Sequence, residues 1–553
     1  MTATATGRNL IQRVNMGDTL TRSAWRDPSK EAVVDGQLRV TYGELNQRVN
    51  RFANALAARG HRRGDALALM SGNSLEFLVT YYACAKLGIV CVPINLSWRR
   101  EEIAYVLGHA QAKGVVVESQ LVAPLLTALE DASEVREVIV APGTGERRQA
   151  PTDGRAWIPF EELSAQGSDA EPDAFVEDRD PITYLYTSGT TSAPKGVASS
   201  HLAVFVESHS AVIDIGLSRS DRMLCMMPLF HTAQLNAFST PVLLVGGTLV
   251  LLRAFDPGLL LALVEAERLT HIFGLPMMYR AMLDHPQSGK HDLSSLRLAV
   301  YAMAPMPDAD LRRGMEVFGC DFALGFGQTE MAPITTVFRP EHQLSHTGSV
   351  GTPSINVQVG IMDEDGRLLP AGRSGEIVYR GPHTMEGYLR NPQATEDAFA
   401  HGWFHSGDVG HFDADGILWF EDRRKDVIKT GGENVASIEV ERALYAAEPR
   451  LQEVVVVGLP HPRWSEAVTA IAIARPGEAL SGEEVLAKAR DRLAGFKAPK
   501  ALILVDEFPR TSTGKVQKNV LREAYRDFFK QDVGAEKAGL GASSKAEPGA
   551  RPA

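Results

Sequence analysis

Between Tyr42 and Glu118 the chain alternates between short apolar runs and longer stretches whose apolar residues recur at helical spacing. No other feature restricts the fold as much. Tyr42 to Gly60 carries the helical period and ends on a glycine, a helix stop. Asp65-Ala-Leu-Ala-Leu-Met70 reads as a buried strand, Ser74 to Leu87 as a helix and Ile89-Val-Cys-Val-Pro93 as a strand. Arg100 to Gln111 is a further helix, leading to the strand Lys113-Gly-Val-Val-Val-Glu118. Strands joined by helices predict an α/β fold with a mostly parallel sheet covered on both faces. The pattern resumes with helix Leu202 to Ile215, strand Arg222 to Met226, an apolar helix, strand Leu249 to Leu252, helix Gly258 to Glu267 and strand His271 to Phe273.

Changes of texture divide the rest. Residues 141 to 180 are rich in Pro, Gly and acids and read as a surface excursion between two α/β lobes. After Gly348, short β-like runs (Val357 to Ile361, Gly375 to Tyr379, Gly416 to Phe420) alternate with turns such as Asp363 to Gly366, the pattern of a distorted β-barrel. The charged run Glu421 to Asp426 reads as a linker. Beyond it lies one compact pattern: helix Ser437 to Ala447, strands Glu453 to Val457 and Ala467 to Ala474, helix Gly482 to Leu493 and strand Ala501 to Val505. The expected organisation is a large N-terminal region at 1–422, made of two α/β lobes and the barrel, a hinge at 423–427 and a small mobile α+β domain at 428–532. The tail at 533–553 has too little apolar content to fold.

Composition narrows the function. Lys plus Arg number 57 against 68 Asp plus Glu, a net charge of -11, which argues against general nucleic-acid binding. The four cysteines have no metal-ligand spacing, and a reducing cytoplasm without structural zinc is the simplest expectation. The N-terminus lacks an apolar signal core, and the run Phe238 to Leu252 is too short to span a bilayer, so no transmembrane segment is expected.

The stretch that most nearly dictates a ligand is Tyr184-Leu-Tyr-Thr-Ser-Gly-Thr-Thr-Ser-Ala-Pro-Lys-Gly196. Thr187, Ser188, Thr190 and Thr191 supply hydroxyls, Gly189 and Gly196 allow close backbone approach, and Lys195 adds a cation. Such a loop suits a polyphosphate, and its apolar lead-in puts it at a strand end, where ligands of α/β sheets collect. An ordinary Ser/Thr/Gly-rich surface turn is the alternative. The spacing is not that of a Walker A loop.

Four further segments follow in order: Gly325-Phe-Gly-Gln-Thr-Glu330, Trp403-Phe-His-Ser-Gly-Asp408, Asp422 to Val435 and Arg510-Thr-Ser-Thr-Gly-Lys515. With the loop they make the chain resemble the adenylate-forming superfamily of acyl-CoA synthetases, luciferases and non-ribosomal adenylation domains, over roughly residues 15 to 530. The resemblance implies an acid:CoA ligase that uses ATP, Mg2+ and coenzyme A on a small carboxylic acid. It implies β- and γ-phosphate binding at 187 to 195, Phe326 with Gly327 against adenine, Thr329 at the α-phosphate and Glu330 at Mg2+. Asp408 and Arg423 would hold ribose. Lys515 would be the catalytic lysine, Lys425 the hinge, and Gly431, Gly432 and Glu433 the segment beside which the thiol enters. Trp464, Phe496, Lys497 and Lys500 resemble CoA-binding positions, and Phe230, His231, Asn236, Met303, Ala304 and Gly325 acyl-pocket positions. An acyl carrier protein is the alternative acceptor, and an enzyme limited to thioester formation the alternative activity. The acid and the oligomeric state are not legible.

Two segments depart from the family pattern. Ser192 replaces a loop glycine, and Tyr301-Ala-Met-Ala-Pro-Met306 has Ala302 and Met303 where small Gly-containing pairs are common. Met303 either points into the core or reshapes the acyl and adenylate sites.

Overall fold

The computed structural model describes residues 3–143, 153–187, 194–304, 306–511 and 514–530. The chain divides into two compact units: Met1–Phe420 with Ser512–Lys515, and Glu421–Thr511 with Val516–Ala553.

The first unit holds two α/β sheets. In the eight-stranded sheet, Pro181–Thr187, Val90–Pro93, Ala66–Met70, Ala112–Glu118, Glu137–Ala141 and Ala156–Pro159 lie side by side in parallel. Lys195–Ser200 and then Gly387–Tyr388 add to the Pro181–Thr187 edge in antiparallel register. The nine-stranded sheet is parallel through Arg222–Cys225, His271–Gly274, Leu298–Tyr301 and Asp321–Gly327, and it recruits Glu31–Asp35 beside Thr248–Leu251.

Helix ends follow local chemistry. Thr41 and Glu44 form a capping box at the start of helix Tyr42–Ala58. Ser74 caps helix Leu75–Leu87 by accepting from the Phe77 N–H, and Gly88 closes it in the left-handed region. That helix buries every residue except Glu76, so it runs inside the core rather than over it. The apolar run after Ala233 is a π-helix, Ala233–Ser239, followed by helix Thr240–Val245, with Pro241 in its first turn, and strand Thr248–Leu251.

Three expectations change. Part of the 141–180 excursion is ordered within the lobe: Ala156–Pro159 is an edge strand, and helix Phe160–Gln166 stacks Phe160 on Phe52 at 4.4 Å between ring centroids. The runs after Gly348 form an antiparallel sheet in the order Gln358–Met362, Gly375–Arg380, Phe404–Phe412, Leu418–Arg423. Its outer strands do not pair with each other, and Leu418 on one of them bridges instead to Gly351, so the expected distorted barrel takes the form of a four-stranded sheet rather than a closed ring. The charged run is not wholly a linker, because Glu421, Asp422 and Arg423 finish the last of these strands.

The second unit is a five-stranded sheet with its own apolar core, built on the long hairpin Leu451–His461 and Ser465–Ala474 and flanked by helices Ser437–Ala447 and Gly482–Arg490. The tail at 533–553 lies outside the described residues. Among the described residues no helix is long and apolar enough to cross a membrane.

Candidate active site

Phosphate-loop residues Ser188, Gly189, Thr190 and Thr191, with Ser192, lie outside the described residues. The two strands that flank the loop are defined, pairing Thr187 with Lys195 in an antiparallel ladder. The Lys195 ammonium sits 4.5 Å over the Tyr388 ring. The Tyr388 hydroxyl in turn donates to Glu330 Oε1 at 2.9 Å. Burial, reinforced by the neighbouring Glu330 carboxylate, raises the phenol's pKa, so the ring stays a donor. Tyr388 has no counterpart in the motifs read from the sequence. Its role rests on segments far apart in the chain, and only a Gly-Tyr pair marks it.

Glu330 lies in the single 3-10 turn Thr329–Met331 that follows strand Asp321–Gly327. In that strand Gly327 has φ +157, and a Cβ there would overlap the Pro333 carbonyl oxygen and lie 2.9 Å from the Thr335 nitrogen. Only glycine lets the two strands of this hairpin close so tightly. Phe326, half-buried, tilts against Phe420 at 5.3 Å and leaves part of its ring open. Leu298–Tyr301 runs parallel beside Asp321–Gly327, so Ala302 to Ala304 leave the sheet next to Gly325 and Phe326. Met303 is not a core side chain: it is 38% exposed, with φ +72, a backbone state that methionine adopts only at a cost. Ala304 is exposed too.

Of the residues expected at an acyl pocket, His231 follows strand Arg222–Cys225, and its Nδ1 accepts from the Ala233 N–H at 3.3 Å, which leaves the ring proton on Nε2. Burial takes its pKa down to about 4, so the imidazole is neutral at neutral pH. That suits a pocket wall better than a base matched to a thiol. Asn236 is buried in the π-helix, its amide donating to Thr232 Oγ1 at 3.1 Å while Oδ1 has no partner among the described residues. Phe230 packs half-buried on the core.

Asp408 is buried on strand Phe404–Phe412, with its N–H bonded to Ser406 Oγ. Arg423 ends the neighbouring strand, and its carbonyl accepts from the Asp426 N–H at 2.7 Å in the turn that exposes Lys425. Asp422 and Asp426 on either side are anchored, the first by the Ser437 N–H at 2.6 Å and the second by Arg522 at 2.8 Å. Lys515 is exposed and precedes Val516, which bridges to Arg510.

In the second unit Gly431 and Gly432, both at positive φ, turn the hairpin between Ile428–Thr430 and Glu433–Val435. The Gly431 N–H donates to the Trp464 carbonyl at 2.9 Å, so the two segments form one local structure. Trp464 stacks on His461 at 4.1 Å, and the Lys500 ammonium lies 5.2 Å from its ring. Phe496 is 41% exposed. Lys497 differs, since both oxygens of Glu439 hold its ammonium at 2.7 Å.

Among the described residues no three His, Cys, Asp or Glu side chains cluster as a metal cage. Glu330 offers a carboxylate beside the phosphate-loop strands, and one carboxylate completed by phosphate oxygens is how Mg2+ is ordinarily bound. This donor set fits Mg2+ that arrives with a nucleotide.

Residues 20–389 match the AMP-binding enzyme family, and residues 439–515 match the AMP-binding enzyme C-terminal domain. The chain belongs to this adenylate-forming family. It is 38% identical over 515 residues to a feruloyl-CoA synthase of Amycolatopsis sp, which covers 93% of this chain and all of that one. It is 34% identical to the long-chain-fatty-acid–CoA ligase FadD13 of Mycobacterium tuberculosis, over 92% of this chain and 98% of the relative. The structure of ATP-bound MatB from Rhodopseudomonas palustris superposes with a TM-score of 0.84 at 31% identity, covering 94% of this chain and all of that one. Within the family, the chain is an AMP-forming acyl-CoA ligase that binds ATP.

Proposed function

We propose that this acid:CoA ligase divides its reaction between the two units. In the first half-reaction a carboxylate oxygen of the acid attacks the α-phosphorus of ATP, and the bond to the bridging oxygen breaks. Pyrophosphate leaves with that electron pair. In the second, the sulfur of CoA attacks the acyl carbonyl, its proton passes to solvent, and AMP leaves. The carboxylate alone is too poor an acyl donor for the second step, which is why the first exists.

Thr187, Ser188, Gly189, Thr190, Thr191 and Lys195 would hold the β- and γ-phosphates. Phe326 and Gly327 would form the adenine wall, Thr329 would bond the α-phosphate, and Asp408 with Arg423 would bind ribose. Glu330 would hold Mg2+, which neutralises charge on the leaving pyrophosphate when bound. Lys515 would stabilise the charge that grows on the α-phosphate oxygens, a contribution worth roughly 3 to 4 kcal/mol for a well-placed donor. Rotation at Lys425, between a region ending near residue 422 and a domain starting near 428, would then bring Gly431, Gly432 and Glu433 to the acyl group. Trp464, Phe496 and Lys500 would bind CoA, with Lys497 serving the fold through Glu439. Phe230, His231, Asn236, Met303, Ala304 and Gly325 would line the acyl pocket. A cytoplasmic setting belongs to the same reading, supported by four buried free cysteines.

The observation that most supports this is the meeting of a lysine, a carboxylate and a glycine with no room for a Cβ beside the phosphate-loop strands. A panel of aryl and fatty acids, scored for acid-dependent ATP–pyrophosphate exchange and for CoA thioester made from synthetic acyl adenylates, tests it. Both activities on one acid are expected. Thioester without exchange would show an enzyme limited to the second half, and exchange with transfer only to a holo-carrier protein would overturn CoA as acceptor.

A further inference from the structure

The segment Met385 to Leu389 is bonded to two parts of the site, the strand leaving the phosphate loop and the turn that carries Glu330. Its backbone holds the strand leaving the phosphate loop: the Leu389 N–H donates to the Gly196 carbonyl and the Glu386 N–H to the Ala198 carbonyl, each at 2.8 Å. The same segment holds the Glu330 turn, because the Met385 N–H donates to the Glu330 carbonyl at 2.7 Å. Tyr388 repeats this connection with its side chain, ring under Lys195 and hydroxyl on Glu330. The tyrosine is itself fixed, since its N–H donates to Thr395 Oγ1 at 2.9 Å and a side chain at Gly387 would collide with Thr395.

We infer that Tyr388 is a positioning residue that registers the metal-binding carboxylate against the phosphate-binding lysine, so that Mg2+ and the terminal phosphates of ATP are engaged as one unit. The inference rests on the assignment of Glu330 and Lys195 made above. A carboxylate on a flexible stem loses side-chain entropy when it binds a cation; a phenol that already fixes Oε1 removes part of that loss. The ring face meanwhile limits where the Lys195 ammonium can travel without neutralising it. Each half of the side chain therefore serves a different ligand.

Two substitutions separate the halves. Tyr388→Phe keeps the ring under Lys195 and removes the hydroxyl, whereas Tyr388→Leu removes both. ATP binding is measured by equilibrium dialysis across a range of free Mg2+, alongside the Mg2+ and ATP dependence of pyrophosphate exchange, with thermal melting to establish folding. For Tyr388→Phe, half-saturation by Mg2+ rises about tenfold, as expected for loss of one hydrogen bond to a charged group. Its ATP affinity at saturating Mg2+ stays near that of the parent. For Tyr388→Leu, ATP affinity weakens at saturating Mg2+ as well. Glu330→Gln is the reference. If it leaves Mg2+ dependence unmoved, the assignment of Glu330 fails; if it shifts that dependence and Tyr388→Phe does not, the role of Tyr388 is refuted. A folded Tyr388→Phe that lowers kcat with no change in Mg2+ half-saturation also refutes it.

Discussion

Gly327 and Gly325 lie two residues apart on one strand and make opposite predictions. An added Cβ at Gly327 would stand 2.9 Å from both the Pro333 carbonyl carbon and the Thr335 nitrogen, and nearer still to the Pro333 oxygen. Ordinary Cβ contacts begin at 3.4 Å, so both atoms must retreat by about 0.5 Å and the oxygen by more. All three are backbone atoms, of the paired strand or of the residue that leads into it, and cannot rotate away. Overpacking of this kind costs about 1–3 kcal/mol, and opening the hairpin also moves Phe326 and the Thr329–Glu330 turn. A displacement near 1 Å in such a position is worth about 10²-fold in rate. At Gly325 a new Cβ would meet nothing closer than Ile334, at 3.9 Å. Gly327→Ala should therefore lower kcat/KM for pyrophosphate exchange by about two orders of magnitude and reduce the melting temperature. Gly325→Ala should leave ATP affinity and stability near the parent and alter only the choice of acid. Exchange kinetics with ATP and acid varied separately, together with thermal melts, make the comparison. Equal behaviour of the two variants, or a Gly327→Ala enzyme with parental exchange, would refute the reasoning.

Other outcomes follow from single residues. At Met303 the left-handed backbone inverts the usual order of small residues: Met303→Gly should be more stable than Met303→Ala by about 1 kcal/mol, read from paired thermal melts, where an extended or helical site would favour alanine. Glu207 is fully buried, accepts the Ile334 N–H at 3.1 Å and leaves Oε2 without a partner among the described residues. Burial raises its pKa well above 4.5, so the native state holds a proton that the unfolded chain releases, and stability is lost as pH rises through the native pKa. Glu207→Gln should accordingly raise the melting temperature at pH 8 and confer little near pH 4; a gain equal at both would contradict it. Lys425→Pro should slow thioester formation from a synthetic adenylate far more than exchange, because the turn is held at Asp422 and Asp426 and has to adjust between them. Equal loss of both rates would argue against a hinge there.

The parallel lobes were legible because their strands are buried on both faces and their helices carry clear stop signals, as at Gly60 and Gly88. Strands such as Ala156–Pro159 and Leu38–Thr41 escape that reading: each is only four residues at a sheet edge, the first ending in a proline and the second mixing polar with apolar residues, too short to show a period. The π-helix at Ala233–Ser239 shares its composition with an ordinary buried helix, and a change in hydrogen-bond register leaves no compositional trace. Within the site, candidate residues that belong to one motif, including Gly327, Glu330 and Asp408, could be named from sequence alone. Tyr388 was not, because it acts between motifs, bonding a carboxylate 58 residues away. Met303 was noticed as a departure, but only its exposure in the folded chain decides that it lies outside the core.

The order of strands also bears on how the protein is made. Glu31–Asp35 finds its parallel partner in Thr248–Leu251, and the phosphate-loop strand Lys195–Ser200 finds its outer neighbour only in Gly387–Tyr388. At a translation rate of roughly 5–20 residues per second, an early strand waits on the order of ten seconds or more for its mate. During that interval its apolar face and unpaired edge are exposed to the surrounding protein pool. Nascent chains that stop short of Tyr388 leave Lys195–Ser200 without its outer neighbour and Glu330 without its phenol partner, contacts that form only late in synthesis.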